Sequence, residues 1–288
     1  MPRHRSRYPT DLTDAQWALV RPLLPRAKQG RTGRPRTYPL REIWNAIVYL
    51  ARGGGRWRAL PHDLPPWGDV WYHFRRWRDD GTLERVHGAL REQVRVRAGK
   101  EPTPSAAIID SQPVALRCRV AGQSVKTTEK GGFRGYDAGK KVTGRKRHVV
   151  VDTLGMILAL VVHAACVQDR DGAKLVLRKL RPHRRTQRRF PRLVLVWADA
   201  SYAGQLVAWV QRVQRVQRVL KLHVEIVSKQ AGQRTFVVLP KRWIVERTFA
   251  WLGRYRRLSK DDEQNTRSSD AWIYLAMIHL MTRRLARS

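Results

Sequence analysis

The chain has few acidic residues, few cysteines and no long apolar run. Of its 288 residues, 23 are Asp or Glu and 58 are Lys or Arg, which gives a formal net charge of +35. The longest continuous apolar run, at 156–162, is about seven residues long, whereas a membrane-spanning helix needs about 20. The first ten residues contain no apolar stretch of the kind that a secretory signal requires. We therefore expect no membrane span and a cytoplasmic location.

Cys118 and Cys166 are the two cysteines, and neither belongs to a CxxC pair. This spacing excludes a disulfide framework and the common cysteine-based zinc sites. It is typical of a protein in a reducing compartment.

The excess of positive charge is spread along the whole chain. Residues 1–100 hold 21 basic and 9 acidic side chains, and residues 101–288 hold 37 and 14, so a polyanionic partner would contact both parts. The apolar fraction of 42% and eleven Trp residues can build a core, which argues against a disordered basic tail. Nucleic acid and an anionic membrane surface are the two partners that this charge favours.

Short helices separated by Gly or Pro turns are predicted for residues 1–100. Thr13 and Gln16 have the spacing of a capping box at the start of the first helix. A later helix, at 67–79, would present Arg75, Arg76 and Arg78 on its polar side. The pattern indicates a helix-turn-helix-like DNA-binding domain with this helix as the recognition helix. A solvated basic face on a small helical bundle is the alternative.

Strands and helices alternate in residues 101–288. Apolar runs predict strands at 105–110, 147–152, 156–163, 193–198 and 222–227, and periodic segments predict helices at 169–180, 203–219, 241–258 and 269–285. This order predicts an α/β fold with a ribonuclease-H-like mixed sheet as the catalytic domain, preceded by the helical domain.

Three of the fourteen acidic residues after position 100 stand apart from the others. Asp110 and Asp199 each follow an apolar strand, and Glu246 lies within a predicted helix between apolar neighbours. Such carboxylates can bind Mg²⁺, and two ions about 4 Å apart can catalyse phosphoryl transfer. Two turn aspartates and an ion-paired helix glutamate are the alternative. The acidic residues at 261–263 are predicted to be a solvated run.

Three sequence blocks contain these acids: IIDSQ at 108–112, WADASY at 197–202 and RWIVERTFAW at 242–251. They resemble the three signature blocks of bacterial insertion-sequence transposases of the DDE class, in the branch around the fourth and fifth insertion-sequence families. Further blocks resemble the fifth family in particular: LTDAQW at 12–17, GRPR at 33–36, WRALP at 57–61, GRKRH at 144–148, VQDRDG at 167–172 and RYRRL at 254–258. The resemblance covers almost the whole chain.

The resemblance implies that Asp110, Asp199 and Glu246 bind two Mg²⁺ ions, for which Mn²⁺ can substitute. In the glutamate block Arg242 matches the family, Leu239 stands at the usual Tyr position and Gly253 at the usual Lys position. On one continuous helix, Arg242 and Arg257 would share a face with Glu246. Phosphate contacts would then fall to Arg242, Arg254 and Arg257.

The function implied is DNA transposition of a mobile element of the insertion-sequence type. Such a transposase binds the terminal inverted repeats in double-stranded DNA, cleaves strands and joins the free 3′ end to target DNA, in cut-and-paste-type recombination. Holding two ends together implies a homodimer or higher oligomer. The alternatives are an inactive, element-derived DNA-binding regulator and a ribonuclease-H-like nuclease that cuts without joining.

Overall fold

The computed structural model describes residues 5–25, 37–115, 134–138, 141–180, 190–217, 222–227 and 241–287. The GRPR block at 33–36 and Leu239 lie outside these residues. In the described part of the chain, no helix is both long enough and apolar enough to cross a membrane.

The chain divides into two compact units. The first comprises residues 1–98, 252–259 and 271–288, and the second comprises 99–251 and 260–270. The first change of unit falls between residues 98 and 99. The predicted domain at 101–288 differs from the second unit at its C-terminal end, where two helical segments pack with the first unit. The assignment of separate binding and catalytic roles to residues 1–100 and 101–288 stays a prediction.

The first unit is helical, as predicted for its N-terminal part. The capping box is confirmed, because Gln16 N donates to Thr13 Oγ1 at 3.3 Å and Thr13 N donates to Gln16 Oε1 at 3.2 Å. The second helix ends at Gly54, whose φ of +74° suits glycine and whose N–H donates to Leu50 O. The N-terminal helices are α1 (Asp14–Val20), α2 (Leu40–Gly53), α3 (Trp67–Asp79) and α4 (Thr82–Arg97).

Helix α3 is amphipathic and packs through aromatic side chains. It buries Val70, Phe74 and Trp77 at four- and three-residue spacing. Phe74 stacks on Trp272, with ring centroids 4.4 Å apart, and Trp77 lies 5.4 Å from Trp44. This packing fixes which face of α3 remains exposed.

The second unit contains a six-stranded mixed sheet. The chain order of its elements, and of the helices that follow, is β1 (Ala106–Ala115), β2 (Gly135–Asp137), β3 (Val142–Asp152), β4 (Ile157–Ala164), α5 (Asp169–Lys179), β5 (Leu195–Asp199), α6 (Gln205–Gln217), β6 (His223–Val227), α7 (Arg242–Gly253), α8 (Arg256–Ser259) and α9 (Thr266–Leu285). The strands lie in the order β2-β3-β1-β5-β6, and β4 also pairs with β3.

The strand directions are those of a ribonuclease-H-like sheet. Strands β1, β3 and β4 form antiparallel pairs, whereas β1, β5 and β6 are parallel neighbours. Apolar residues of α5 and α6 join the sheet in one core cluster. The predicted fold class, a helical N-terminal region before a ribonuclease-H-like mixed sheet, is confirmed.

Two predicted element boundaries close to the candidate acids are wrong, and β3 begins at 142 instead of 147. Strand β1 continues to Ala115 instead of ending at Asp110, because its second half still pairs with β3. The helix predicted at 241–258 is two helices, since α7 ends at Gly253 and α8 begins at Arg256. Arg257 therefore does not share a helix face with Glu246. Apolar residues keep a helical spacing through this segment, so the sequence pattern does not show where one helix ends and the chain passes into the other unit.

Candidate functional site

Asp110 and Asp199 line the same cleft from neighbouring parallel strands. Strands β1 and β5 pair from Ala106 opposite Leu195 to Ile108 opposite Trp197, and Asp110 and Asp199 each lie two residues beyond that last pair. Asp199 ends β5 and caps the following short helical turn, because its Oδ1 accepts a hydrogen bond from Ser201 N at 2.9 Å. Parallel pairing thus brings together two carboxylates that are 89 positions apart in the sequence.

A cleft at this edge of the sheet contains both aspartates. It is lined by Ile108, Ile109, Asp110, Trp197, Ala198, Asp199, Val227 and Arg242. Arg242, at the start of α7, links this cleft to the third predicted acid. Its NH1 lies 3.8 Å from Asp199 Oδ2, and its Nε lies 3.2 Å from Glu246 Oε1. The guanidinium of Arg242 therefore links Asp199 to Glu246, and Asp110 lines the same cleft.

A tight turn between β3 and β4 positions the helix that carries Glu246. Thr248 Oγ1 donates to Gly155 O at 2.8 Å, and Arg247 donates to Leu154 O at 3.2 Å. Gly155 has a φ of +81°, and a Cβ at this position would lie 2.8 Å from Thr248 Oγ1. A side chain there would push α7 away from the hairpin, so the turn at 152–155 also holds the glutamate helix in place.

The donor chemistry of the cleft fits a divalent cation of the hard, oxygen-binding type. Asp110 and Asp199 supply carboxylate oxygens to the same cleft, and Arg242 links Glu246 to Asp199. As the described side chains stand, no three His, Cys, Asp or Glu residues are close enough to hold a metal ion. For Glu246 to join the aspartates, Arg242 would have to exchange its carboxylate partners for another anion.

Two further cationic side chains close to the cleft lie over aromatic rings. The sequence did not lead us to predict these cation–π contacts. Lys241 Nζ is 3.7 Å from the ring centroid of Trp197, and Trp197 Nε1 donates to Glu225 Oε2 at 3.0 Å. The Arg247 guanidinium lies 4.5 Å from the ring of Trp243. The tryptophans near Asp199 and Glu246 in the signature blocks are the sequence feature from which these cation–π contacts could have been predicted.

A polar cluster is buried behind the aspartates. His148 on β3 hydrogen-bonds His163 on β4, with 2.7 Å between Nδ1 and Nε2, and its Nε2 lies 3.2 Å from Tyr202 Oη. Burial raises the pKa of Tyr202 well above its usual range, and the charge of Asp110 adds to this. Gly172 lets α5 approach, since a Cβ there would lie 2.3 Å from His148 Cε1.

The buried histidine pair should make the fold sensitive to acid. Burial, followed by the neighbouring His163, lowers the pKa of His148 to about 3. Between pH 6.5 and 3 the unfolded chain therefore binds a proton on His148 that the folded chain does not, so stability falls as the pH falls. From pH 7 to 5 the loss from His148 should be about 2 kcal/mol, measured by urea unfolding at both pH values.

A matched pair of variants checks the source of this pH dependence. His62 is exposed, so His62→Gln should leave the loss between pH 7 and 5 unchanged. His148→Gln should reduce it. An unchanged loss in His148→Gln would contradict the assignment to the buried pair.

The predicted DNA-contacting arginines on α3 differ in their surroundings. Arg76 is exposed. The Arg75 guanidinium lies 5.3 Å from the ring of Trp71 and 3.7 Å from Asp79 Oδ2. Arg78 is largely covered and donates two hydrogen bonds to Asp79, at 2.9 and 3.1 Å.

The two predicted contacts after α7 also differ from each other. Arg254 is exposed, and its carbonyl accepts a hydrogen bond from Arg52 at 3.1 Å. Arg257 donates to Gly55 O at 2.5 Å, and its guanidinium lies 4.9 Å from the ring of Trp272. The surroundings of Arg257 are those of a packing residue within the first unit.

Comparison with known proteins places this architecture in a family. Residues 101–281 match the transposase DDE domain, and residues 12–87 match transposases of the IS4/5 family. The uncharacterized protein y4sN of Sinorhizobium fredii is 37% identical over 79 residues, a stretch that makes up 27% of this chain. The match spans 62% of that relative, which is less than two thirds of its length. Since the DDE domain alone covers more than half of the chain, the chain belongs to the IS4/IS5 group of DDE transposases.

Proposed function

We propose that this transposase binds the terminal inverted repeats of its element and performs strand cleavage and strand transfer at the cleft that contains Asp110 and Asp199. The observation that carries the proposal is the cleft that these two aspartates share on neighbouring parallel strands, with Arg242 linking Asp199 to Glu246. Within a DDE domain, such a cluster supports the assignment of these three acids as the catalytic carboxylates.

The roles proposed for the acids follow from their placement. Asp110 and Asp199 would hold one Mg²⁺ or Mn²⁺ ion jointly, and Glu246 would help to hold a second. When bound, such ions supply activation of the attacking oxygen and stabilisation of the leaving oxygen. The backbone amide of Ser201 orients Asp199, and the hairpin contact of Thr248 orients the helix of Glu246.

Arg242 would act on the DNA strand itself. Its planar guanidinium already faces two carboxylates, and it can instead form paired hydrogen bonds to a phosphate group. Exchange of carboxylate for phosphate would release Asp199 and Glu246 when the DNA backbone arrives. Lys241 lies beside the cleft on Trp197 and would add positive charge there.

The proposed reaction has two chemical steps. In the first, the oxygen of water bonds to a phosphorus atom at the element end, and the bond from that phosphorus to the 3′ oxygen breaks, which leaves a free 3′ hydroxyl. In the second, the oxygen of this hydroxyl bonds to a phosphorus atom of the target DNA. The bond from that phosphorus to the 3′ oxygen of the target strand breaks and leaves a 3′ hydroxyl there, so the strands join without a covalent protein intermediate. Transposition of the element involves both of its ends, and we propose a dimer or higher oligomer that holds them together.

An oligonucleotide assay tests the proposal directly. The purified full chain is incubated with labelled duplexes that carry the inverted repeats flanking its gene, with Mg²⁺ or Mn²⁺, and then with precut ends and a supercoiled plasmid. We expect cleavage at the repeat end and joining of the precut 3′ hydroxyl to the plasmid, and neither with scrambled ends. Cleavage without joining would indicate a nuclease, and specific binding without either reaction would indicate a regulator.

A further inference from the structure

Helix α3 exposes three aromatic side chains within six residues. Trp67, Trp71 and Tyr72 are 40%, 37% and 55% exposed, and they account for three of the eight exposed large hydrophobic residues in the described part of the chain. The core needs none of them, because Val70, Phe74 and Trp77 form the buried face. Single exposed hydrophobic residues are ordinary, but a cluster on one helix indicates a binding surface.

Two of these rings carry an arginine. The Arg75 guanidinium lies 5.3 Å from the ring centroid of Trp71, which is one helical turn earlier. The Arg58 guanidinium, from the short helical turn at Trp57–Ala59, lies 5.2 Å from the ring centroid of Trp67. Tyr72 differs, because its ring meets His73 edge-on and no described cation lies over it. Two exposed tryptophans of α3 therefore each lie beneath a guanidinium, one from α3 itself and one from the short helical turn before it.

A ring beneath a guanidinium restricts the positions that a long arginine side chain can adopt. The indole attracts the cation through its electron-rich face, and the N–H edge of the guanidinium remains able to donate to a ligand. The Arg75 side chain is 58% exposed. Since fewer rotamers remain to be lost on binding, contact with an anion costs less conformational entropy. The tryptophans can thus strengthen a contact that they do not make themselves.

The charge around these rings favours a phosphate ligand. Arg58, Arg75 and Arg76 are exposed in a chain of net charge +35. Asp79 lies 3.7 Å from Arg75, but an exposed pair at four-residue spacing is weak and readily exchanged. One face of each indole already holds a guanidinium, which leaves less ring surface for stacking on an unpaired base.

We propose that Trp67 and Trp71 are positioning residues that hold Arg58 and Arg75 ready to contact backbone phosphates of duplex DNA. This inference rests on the proposed function, binding of element DNA, and on the predicted assignment of DNA binding to the N-terminal helices. It assigns the DNA contact to two ring-supported arginines, one of which lies outside α3. Arg78, which is hydrogen-bonded to Asp79, is not part of this surface.

A double-mutant cycle tests the coupling between ring and arginine. Binding of Trp71→Leu, Arg75→Ala and the double variant to a short duplex is measured by fluorescence anisotropy over a range of salt concentrations. Arg75→Ala should weaken binding and reduce the slope of log affinity against log salt by about 1. Trp71→Leu should weaken binding about two- to fivefold and should add nothing when Arg75 is already replaced. Trp67→Leu and Arg58→Ala should form a second coupled pair.

Tyr72→Leu is the matched control. It removes an exposed aromatic ring from the same helix without removing the support of an arginine, so affinity should change by less than about twofold. Trp71→Phe keeps a ring beneath Arg75 and should restore most of the lost affinity. Circular dichroism and thermal unfolding should be unchanged in all variants, because these side chains are exposed.

Several outcomes would overturn the inference. Additive losses for Trp71→Leu and Arg75→Ala, or an equal loss for Tyr72→Leu, would mean that the rings touch DNA directly. An unchanged affinity in Arg75→Ala would place the DNA contact elsewhere. The same cycle on a duplex of unrelated sequence tests the coupling between ring and arginine apart from the proposed function, because phosphate contacts are independent of sequence. If the wild-type chain bound element ends no more tightly than unrelated DNA, inverted-repeat binding would be contradicted. The coupling between Trp71 and Arg75 could still be measured.

Discussion

Replacing Asp199 by asparagine, or Glu246 by glutamine, should abolish metal-dependent strand cleavage while leaving DNA binding intact. Each change removes a negative charge and keeps the side-chain size. If these carboxylates hold the ions that activate the attacking oxygen, the cleavage rate should fall at least about a thousandfold, which corresponds to about 4 kcal/mol in the activation free energy. Gel-based cleavage of a labelled element end measures the rate, and anisotropy measures binding.

The local contacts indicate that both variants will fold. Asp199 caps a short turn through Oδ1, and the Asn side chain keeps an oxygen for that hydrogen bond. The side chain of Glu246 is 57% exposed, and its pair with Arg242 is of the exposed i,i+4 type, which contributes little to stability. Loss of activity would therefore report on the reaction.

DNA affinity distinguishes the expected result from misfolding. Removing a carboxylate from the cleft reduces its repulsion of the DNA phosphates, so DNA binding should stay the same or tighten. A misfolded variant should bind DNA more weakly. Asp171→Asn is the matched control, because Asp171 is an exposed acid at the start of α5 that pairs with Lys174. Cleavage at the wild-type rate by either site variant would refute the assignment of these acids.

Local patterns predicted much of the fold that positions the candidate site. The capping box at Thr13 and the bounds of α3 follow from neighbouring residues, and the structure confirms both. The end of β5 at Asp199 was equally predictable from the sequence, because the apolar run stops there. These features depend on contacts within a few residues, which is the range over which sequence patterns are informative.

Features that depend on distant partners were not predictable in this way. Asp110 was expected at a strand end, yet β1 continues beyond it because β3 provides a partner strand. The contact between the hairpin at Gly155 and Thr248 joins residues 93 positions apart, and neither segment alone indicates it. The ring-supported Arg58 and Trp67 belong to different elements, so helical spacing could not reveal them.

Asp261 is the clearest case in which a local interpretation was wrong. It was expected in a solvated acidic run, but its side chain is 1% exposed and its Oδ1 lies 3.0 Å from Arg145 NH1. The side chain of Arg145 is fully buried and also donates to Gln264 O at 3.1 Å. Ser269 Oγ donates to Asp261 Oδ1 at 2.9 Å. The charge of Asp261 therefore balances a buried guanidinium of the central strand β3.

Asp261→Ala should cause the largest loss of stability among single substitutions in this segment. The change leaves the Arg145 guanidinium buried without its counter-charge, which costs about 3–5 kcal/mol. The adjacent Asp262→Ala is the control, because Asp262 is exposed and its loss should stay within about 0.5 kcal/mol. Urea unfolding followed by circular dichroism measures both.

The double variant Arg145→Met with Asp261→Leu separates the cost of an unpaired charge from the cost of lost packing. Replacing both members of a buried ion pair by apolar residues of similar volume is often neutral or stabilising, so most of the stability lost in Asp261→Ala should return. Arg147 is also buried on β3, and although burial lowers its pKa to about 10, the charge of Asp261 acts to raise it. Some destabilisation should therefore persist in the double variant because Arg147 loses the same neighbour. A double variant as unstable as Asp261→Ala would show that the segment at 260–270 is held by packing and backbone contacts, and that the ion pair contributes little.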